Sequence, residues 1–421
     1  MSTTAHEIPL GWERITLGDH VQTLRNLSLP RAFTSREGDL AYLHYGDIHG
    51  SSTTVWDPTS SARIRLGQRG TATLLQPGDI VFTDASEDLE GVGTAVEVAS
   101  SVPLGGVAGL HTIAIRPDPQ VIAPGFGQYL QFIPSFRTHL RSLAAGTKVL
   151  ATNRRHVTSA SIAIPPLEEQ LRITRMLTDA SSLTAVVERL ILKKQAIKQG
   201  MMQQLLYRKS RLPSFSSGWV TTTAGEIGTF KGGSGFPVRF QGSKVGDLPF
   251  FKVSDMNDPG NEVFMRSARN YIGEAQRALM GAIRMPRDAI VFAKVGAAVF
   301  LERKRILAQP SCIDNNMAAM VVDPRRADAR FMHYWLSGFP MSSLVATGAL
   351  PSINGGQLRS IQVELPSELR EQRAIAAVLA DVDQELVSLE GKLKKVREIK
   401  QGMMQELLTG RTQIMPQGAS A

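Results

Sequence analysis

Residue patterns that could support catalysis are few and weak in this sequence. Glu390 and Lys392 have the Glu-x-Lys spacing of many nucleases, but they lie in a heptad pattern, where a solvated helix face is the simpler interpretation. Residues 91–93 (Gly-Val-Gly) form too short a glycine run, in too acidic a neighbourhood, for a dinucleotide site. The G-x-x-x-x-G-K-[ST] loop and the Asn/Asp-Pro-Pro-aromatic tetrapeptide of amino-methyltransferases do not occur. The 8 histidines and 1 cysteine show no metal-ligand spacing, so the sequence predicts binding without a cofactor or metal held by this chain.

The charge balance favours nucleic acid as the bound partner. The chain has 421 residues and a formal net charge of +9, and a basic surface attracts phosphates. The charge is uneven, because residues 212–363 carry 17 basic and 11 acidic side chains whereas residues 1–160 carry 13 and 14. If the first part binds DNA, it needs a local basic patch. A basic protein without such a partner is the alternative that charge alone leaves open.

Candidate DNA contacts in the first part are arginines in a Pro/Ser/Thr-rich loop, an Asn-Arg-Arg-His stretch, and aromatic residues near Asp47. An arginine fork can hold a phosphate or bind guanine through two hydrogen bonds. Plain surface positions and core strand packing are the alternatives for these residues. The candidates are Arg25, Arg31, Arg36, His44, Tyr45, Arg154 and Arg155.

Candidate DNA contacts in the second part lie in a glycine-rich stretch and after apolar, strand-like runs. Glycines let the backbone approach a ligand closely, a phenylalanine beside them could stack or wedge, and asparagine amides can pair with adenine. A flexible loop and a capped turn are the structural alternatives. The candidates are Lys231, Ser234, Phe236, Arg239, Lys252, Lys294, Asn315 and Asn316.

A long internal repeat sets the organisation of the chain. The segment IKQGMMQQLL at residues 197–206 recurs with one difference as IKQGMMQELL at residues 399–408. Fainter matches continue upstream, so the chain consists of two copies of one unit, each a globular part followed by a helix.

Both helical parts carry apolar residues in alternating steps of four and three, the pattern of a coiled-coil seam. Each seam would be about 50 Å long at 1.5 Å per residue. Such long amphipathic helices need a partner, so we expect them to pack on each other. The seam residues are Ile173, Leu177, Val187, Ile191, Met201, Leu205, Ile375, Leu379, Leu386, Leu389, Leu393, Met403 and Leu407.

The predicted fold class is α+β, with two domains of mixed β-sheet and helices separated by two long helices. Short apolar stretches such as 80–82 and 290–292 predict strands, and residues 128–142 have a helical pattern. Each globular part leads into its own helix, so antiparallel packing with pseudo-twofold symmetry would place the domains at opposite ends. The predicted parts are 1–163 and 210–363 (globular), 164–209 and 364–411 (helical), and 412–421 (disordered tail).

Together these residues resemble the specificity subunit of type I restriction-modification enzymes, over nearly the whole chain. The segments from Pro165 to Leu206 and from Pro366 to Gly410 resemble the repeat regions of that family. The globular parts resemble its target-recognition domains, with one recurrent type matched by the stretches KGGSGFP (231–237), FFKVSDM (250–256), IVFAKVG (290–296) and IDNNM (313–317).

This resemblance implies a non-catalytic subunit in which each recognition domain reads one half of a bipartite DNA target. It implies that the helix pair fixes the gap and docks two modification subunits, which bind S-adenosylmethionine and methylate adenine. Restriction subunits, which use ATP and Mg²⁺, would add to this core. Lys194 and Lys198 interrupt the first seam, and we expect them to face a modification subunit.

Two other function classes stay open at this stage: a coiled-coil adaptor that binds only protein, and a stand-alone DNA methyltransferase. The basic second part argues against the first, and the missing cofactor motifs argue against the second. No apolar run approaches the roughly 20 residues of a membrane helix, and one cysteine excludes a disulfide framework. Cytoplasm is the expected compartment.

Overall fold

The computed structural model describes residues 8–51, 53–99, 105–213, 215–345 and 351–414. It contains two compact units: unit one lies in Met1–Val187 and Lys392–Ala421, and unit two lies in Glu188–Gly391. The five-part division predicted from the sequence stays a prediction. The tail predicted to be disordered starts at residue 412, and its first residues make contacts with the rest of unit one. The Gln413 side chain, for example, donates a hydrogen bond to the Leu10 carbonyl at 2.6 Å. Residues 415–421 of that tail lie outside the described residues.

Unit one combines short strands with a few helices. Its strands are β1 (Glu13–Thr16), β2 (Val21–Thr23), β3 (Leu40–Leu43), β4 (Val55–Trp56), β5 (Arg63–Ile64), β6 (Leu74–Leu75), β7 (Ile80–Thr83), β8 (Ala85–Ser86), β9 (Ala95–Val98), β10 (Gly106–Ala108), β11 (Thr112–Pro117), β12 (Leu150–Ala151) and β13 (Ser161–Ile164). Its helices are α1 (Tyr45–His49), α2 (Pro134–Leu143), α3 (Arg154–Thr158) and the first half of α4 (Leu167–Leu205). Short 3-10 turns cover Leu17–His20, Arg31–Phe33, Pro58–Ser60, Leu66–Arg69 and Gly127–Phe132.

The core of unit one lies on both faces of a mixed five-stranded sheet with the strand order β2-β11-β7-β9-β4. The central strand β7 is buried along its whole length, which explains its continuous apolar sequence. Ile80 and Phe82 face a cluster that includes Leu130 and Phe136, whereas Val81 packs on the opposite side. A second, four-stranded sheet has the order β5-β3-β10-β6, with β3 and β10 parallel.

The helical pattern predicted over residues 128–142 forms two elements instead of one. A 3-10 turn ends at Phe132, and α2 begins at Pro134. Proline at the first helical position suits a helix start, and it holds the preceding residue, Ile133, in an extended conformation. The single predicted helix is therefore broken at this proline.

Unit two repeats this arrangement. Its strands are β14 (Trp219–Thr223), β15 (Gly228–Gly232), β16 (Leu248–Phe251), β17 (Phe264–Met265), β18 (Tyr271–Ile272), β19 (Ile290–Ala293), β20 (Lys304–Leu307), β21 (Cys312–Ile313), β22 (Met317–Val322) and β23 (Gln362–Pro366). Its helices are α5 (Ala224–Ile227), α6 (Glu274–Leu279), α7 (Ala329–Gly338), α8 (Gly355–Arg359), the second half of α4 and most of α9 (Leu369–Leu407). Its 3-10 turns cover Val238–Phe240, Val253–Asn257, Ala297–Leu301 and Met341–Leu344.

The main sheet of unit two has the order β15-β22-β19-β20-β17, which matches the five-stranded sheet of unit one strand for strand. The buried β19 takes the place of β7. The second sheet has three strands, β18-β16-β21, with β16 and β21 parallel. The α+β class with mixed sheets and two long helices is therefore confirmed.

The helices α4 and α9 contain 39 residues each and pack against each other in opposite directions. In unit one, Ile173 and Leu177 near the start of α4 share a core with Leu407 at the end of α9. In unit two, Leu205 at the end of α4 shares a core with Ile375 near the start of α9. Nine seam residues are buried: Ile173, Leu177, Val187, Ile191, Leu205, Ile375, Leu379, Leu386 and Leu407. Four are partly buried: Met201, Leu389, Leu393 and Met403.

Two lysines on the α4 seam bind carboxylates of α9 within unit two. Lys198 Nζ lies 2.5 Å from Asp383 Oδ1, and Lys194 pairs with Glu385. The hydroxyl of Tyr334 on α7 donates to Asp383 Oδ2 at 2.7 Å. The expectation that these lysines face another subunit was wrong, because α9 supplies acidic partners at the matching heights. Lone polar pairs of this kind fix helix register in coiled coils.

Candidate nucleic-acid interface

In unit one a polar loop follows the buried strand β3. His44 caps α1: its Nδ1 accepts from the Gly46 amide at 3.1 Å, and Asp47 Oδ2 accepts from the His44 amide at 3.1 Å. Arg31 pairs with the same Asp47. Burial of the ring, which is only 8% exposed, and then the nearby Arg31 lower the pKa of His44. The structure thus brings together Arg31, His44 and Tyr45, three of the residues predicted to contact DNA.

Aromatic rings extend this loop into a larger surface. Tyr45 lies with its ring centroid 4.4 Å from that of His44 and 5.4 Å, edge to face, from that of His111. His49 approaches the same tyrosine at 6.3 Å. His111 Nδ1 lies 3.2 Å from Asp84 Oδ1. We call the set Arg31, His44, Tyr45, His49 and His111 the first polar edge; it offers donors, acceptors and ring faces to a ligand.

The other arginine candidates of unit one are exposed and do not all join this edge. Arg154 donates to the Leu24 carbonyl at 3.0 Å, so it lies beside Arg25. Arg155 is exposed on α3, and Arg36 is exposed in the loop before β3. Arg25 and Arg154 therefore lie close to each other, whereas Arg31 is bonded to Asp47 of α1.

In unit two the matching loop follows β16 and carries lysine instead of histidine. Lys252 Nζ donates to Gln241 Oε1 at 3.1 Å, and Asp255 Oδ2 accepts from the Lys252 amide at 2.6 Å. Burial raises the pKa of Asp314, while Lys252 opposes that shift. Lys294 joins the same region, since its amide donates to the Asn316 carbonyl at 2.8 Å.

Exposed amides and a close glycine complete this region. Asn315 and Asn316 are exposed on the turn between β21 and β22. Lys294 Nζ lies 3.0 Å from the place where a Cβ on Gly232 would be, so a side chain there would displace the ammonium group. We call Ser234, Lys252, Lys294, Asn315 and Asn316 the second polar edge; Ser234 belongs to it through its β-bridge to Asp314.

Three candidates of the glycine-rich stretch have other surroundings. Phe236 stacks on Phe250 with ring centroids 3.8 Å apart, and its role as a DNA contact stays a prediction. The Arg239 guanidinium lies 4.9 Å from the ring of Phe240. Lys231 is exposed on β15.

The histidines His49 and His111 and the amide of Gln241 were not among the residues predicted from the sequence. His111 has a positive φ of 57°, a conformation that the sequence does not reveal for a non-glycine residue. The signal that could have located it is the Gly-Leu-His run between two apolar strands, which indicates a tight turn.

Within the described ranges no group of three or more His, Cys, Asp or Glu residues could hold a metal ion. No helix in the same part of the chain is long and apolar enough to cross a membrane.

Comparison with known proteins agrees with this architecture. Residues 216–399 match the type I restriction modification DNA specificity domain family. Over 437 residues the chain is 24% identical to the type I restriction enzyme MjaX specificity subunit of Methanocaldococcus jannaschii, covering 98% of this chain and 96% of that protein. The chain is therefore similar to a type I specificity subunit over nearly its whole length.

Solved structures of specificity subunits share the fold. The S subunit from M. genitalium aligns with a TM-score of 0.60 and 15% identity, over 96% of this chain and 98% of that one. The HsdS subunit from Thermoanaerobacter tengcongensis aligns with a TM-score of 0.51 and 19% identity, over 98% and 100%. At these identities the likeness establishes the fold alone.

Proposed function

We propose that this chain is the non-catalytic DNA-specificity subunit of a type I restriction-modification enzyme. Each unit reads one half of a bipartite double-stranded target, through the first polar edge in unit one and the second polar edge in unit two. The observation that carries the proposal is that matching loops after β3 and β16 hold different polar side chains on a duplicated framework. A retained framework with changed contact residues suits two readers of different sequences.

The proposal assigns chemistry to partner subunits. Two modification subunits, which bind S-adenosylmethionine, dock on the helical regions, and restriction subunits add ATP- and Mg²⁺-dependent activity. This chain itself supplies DNA contacts and helix surface. The matches with specificity subunits favour this assignment over an adaptor or a stand-alone methyltransferase. Because the target is host and foreign DNA, the proposed site of action is the cytoplasm.

Domain exchange tests this function. The full chain is expressed with its modification subunit, and methylated motifs are mapped by long-read sequencing. Replacing residues 1–163 by another recognition domain should change one half of the motif and preserve the other half. The matched exchange of residues 210–363 should change only the second half. A change in both halves after either exchange, or no methylated motif with the native chain, would refute the proposal.

A further inference from the structure

Two short turns have the same structure in both units. The 3-10 turns Arg31–Phe33 and Val238–Phe240 each follow a proline and end on a phenylalanine. In both, the phenylalanine amide donates to the proline carbonyl at 3.0 Å. The following strands, β3 and β16, begin at nearly the same distance after each turn. The duplicated unit has therefore retained this turn while the side chains around it changed.

Each turn presents a large apolar side chain to solvent. Phe33 is 63% exposed and Val238 is 83% exposed. A single exposed apolar residue is ordinary on a protein surface, so exposure alone assigns no role. Here an exposed apolar side chain occurs at this turn in both copies, at the last position in unit one (Phe33) and at the first position in unit two (Val238).

Both turns are bonded to the polar edges. In unit one, Arg31 within the turn pairs with Asp47 of α1, beside His44 and Tyr45. In unit two, Gln241 directly after the turn accepts from Lys252. The two links use different residues but connect the same pair of loops. The apolar tips therefore lie next to the side chains assigned to DNA.

The charge around the tips fits a duplex. The Arg31 side chain is 57% exposed, and Arg239 of the second turn is exposed beside Phe240. A cation that can hold a phosphate next to an apolar group that can reach the bases is the combination used by proteins that insert wedges into DNA. An acidic phosphate backbone with apolar base faces beneath it is complementary to this surface.

We propose that the turns at Pro30–Phe33 and Pro237–Phe240 are apolar fingers that press against the bases of their own half-sites. Phe33 is the larger finger and wedges against a base step, whereas Val238 packs on base edges. This inference rests on the proposed function and adds contacts that act through apolar surface rather than charge.

The first test is Phe33→Ala in the full chain assembled with its modification subunits. Binding to the cognate duplex is measured by fluorescence anisotropy over a range of salt concentrations. Because the aromatic ring would no longer stack on a base, we expect roughly tenfold weaker binding. The slope of log affinity against log salt should not change, because no phosphate contact is lost.

A second variant and matched controls isolate the fingers. Val238→Ala removes two methyl groups and should weaken binding about threefold. Leu10→Ala and Leu279→Ala remove leucines that are 92% and 71% exposed elsewhere in units one and two. Both controls should bind as the native complex does. On a duplex with the first half-site scrambled, Phe33→Ala should bind as well as the native complex.

The outcomes separate the two proposals. If the native complex shows no preference for its methylated motif, the proposed function fails. If the native complex has that preference but Phe33→Ala and Val238→Ala bind normally, the finger inference fails alone. An equal loss on cognate and scrambled duplexes would also overturn it. The inference would also fail if native mass spectrometry showed that either variant no longer assembles with the modification subunits, because the turns would then be protein contacts.

Discussion

The two polar edges share a framework but differ in chemistry. In unit one Asp47 accepts from the amide of His44, and in unit two Asp255 accepts from the amide of Lys252. These aspartates have the same structural role in both loops. The more exposed side chains are Tyr45 and His49 in unit one and Lys252, Asn315 and Asn316 in unit two, whereas His44 is buried. Duplication has therefore kept the hydrogen bonds that shape each loop and changed the groups that a ligand would meet.

The same contrast extends to the helix pair. Unit two joins α4 and α9 through Asp383, which binds Lys198 and Tyr334. The equivalent position in unit one, 202 residues earlier, is Ser181, whose hydroxyl donates to the Leu177 carbonyl of its own helix at 2.7 Å. In unit two the contact between α4 and α9 therefore combines this ionic cluster with the shared apolar core, whereas Ser181 bonds within its own helix.

The largest effect is expected from breaking that cluster. Asp383→Leu leaves the Tyr334 hydroxyl and the Lys198 ammonium without their carboxylate, and Lys198 is only 26% exposed. We expect a loss of about 3 kcal/mol in the free energy of unfolding, measured by urea denaturation of the full chain. The matched control Ser181→Ala should cost less than about 0.5 kcal/mol. Equal effects of the two variants would contradict the contrast between the units.

Acid should weaken unit two through His333. Burial lowers the pKa of His333 to about 4, whereas the unfolded value is about 6.5. The unfolded chain therefore binds a proton first, and stability present above pH 6.5 is lost as the pH falls towards 4. The loss between pH 7 and pH 5 should be about 2 kcal/mol. His333→Gln should flatten this dependence in calorimetry, and an unchanged pH profile would exclude a neutral buried imidazole.

Unit one should respond to acid in the opposite direction through Glu97. Burial raises the pKa of Glu97 to about 7, although the amides of Gly125 and Gln128 donate to its carboxylate. The folded state prefers the protonated form, so stability present at low pH is lost as the pH rises through 7. Between pH 5 and pH 7 the loss should be about 2 kcal/mol at most. Glu97→Gln should remove this pH dependence of stability, even if the substitution lowers stability equally at every pH. If the pH dependence persisted, another titrating group would be responsible for it.

The smallest expected effect concerns single cations of the second polar edge. Lys294→Ala should weaken DNA binding a few-fold and reduce the salt slope by about 0.9, the value for one phosphate contact. Arg325→Ala is the control, because Arg325 is 87% exposed and pairs with Asp323 away from that edge. An unchanged slope for Lys294→Ala would remove Lys294 from the DNA contacts and leave the asparagines as the main polar groups.

Much of the fold could be predicted from local patterns. The strands at Ile80–Thr83 and Ile290–Ala293 were visible as short apolar runs, because a strand buried on both faces must be apolar throughout. The single helix expected over residues 128–142 was wrong, since Pro134 starts a new helix. The stacking of Phe236 on Phe250 of β16 could not be foreseen, because it joins a loop to a strand that is distant in the pattern, and the DNA contact suggested for Phe236 stays a prediction.

The sequence alone determined that the chain is a duplicated unit with two long helices that need each other, since repeats and heptad spacing are local properties. Only the tertiary structure decided which side chains meet. Tyr45 contacts His111, and Lys198 contacts Asp383, across long stretches of chain. Such contacts depend on strand order and helix register, which arise from packing of the whole core. For that reason the edges and their apolar turns became visible only in the folded molecule.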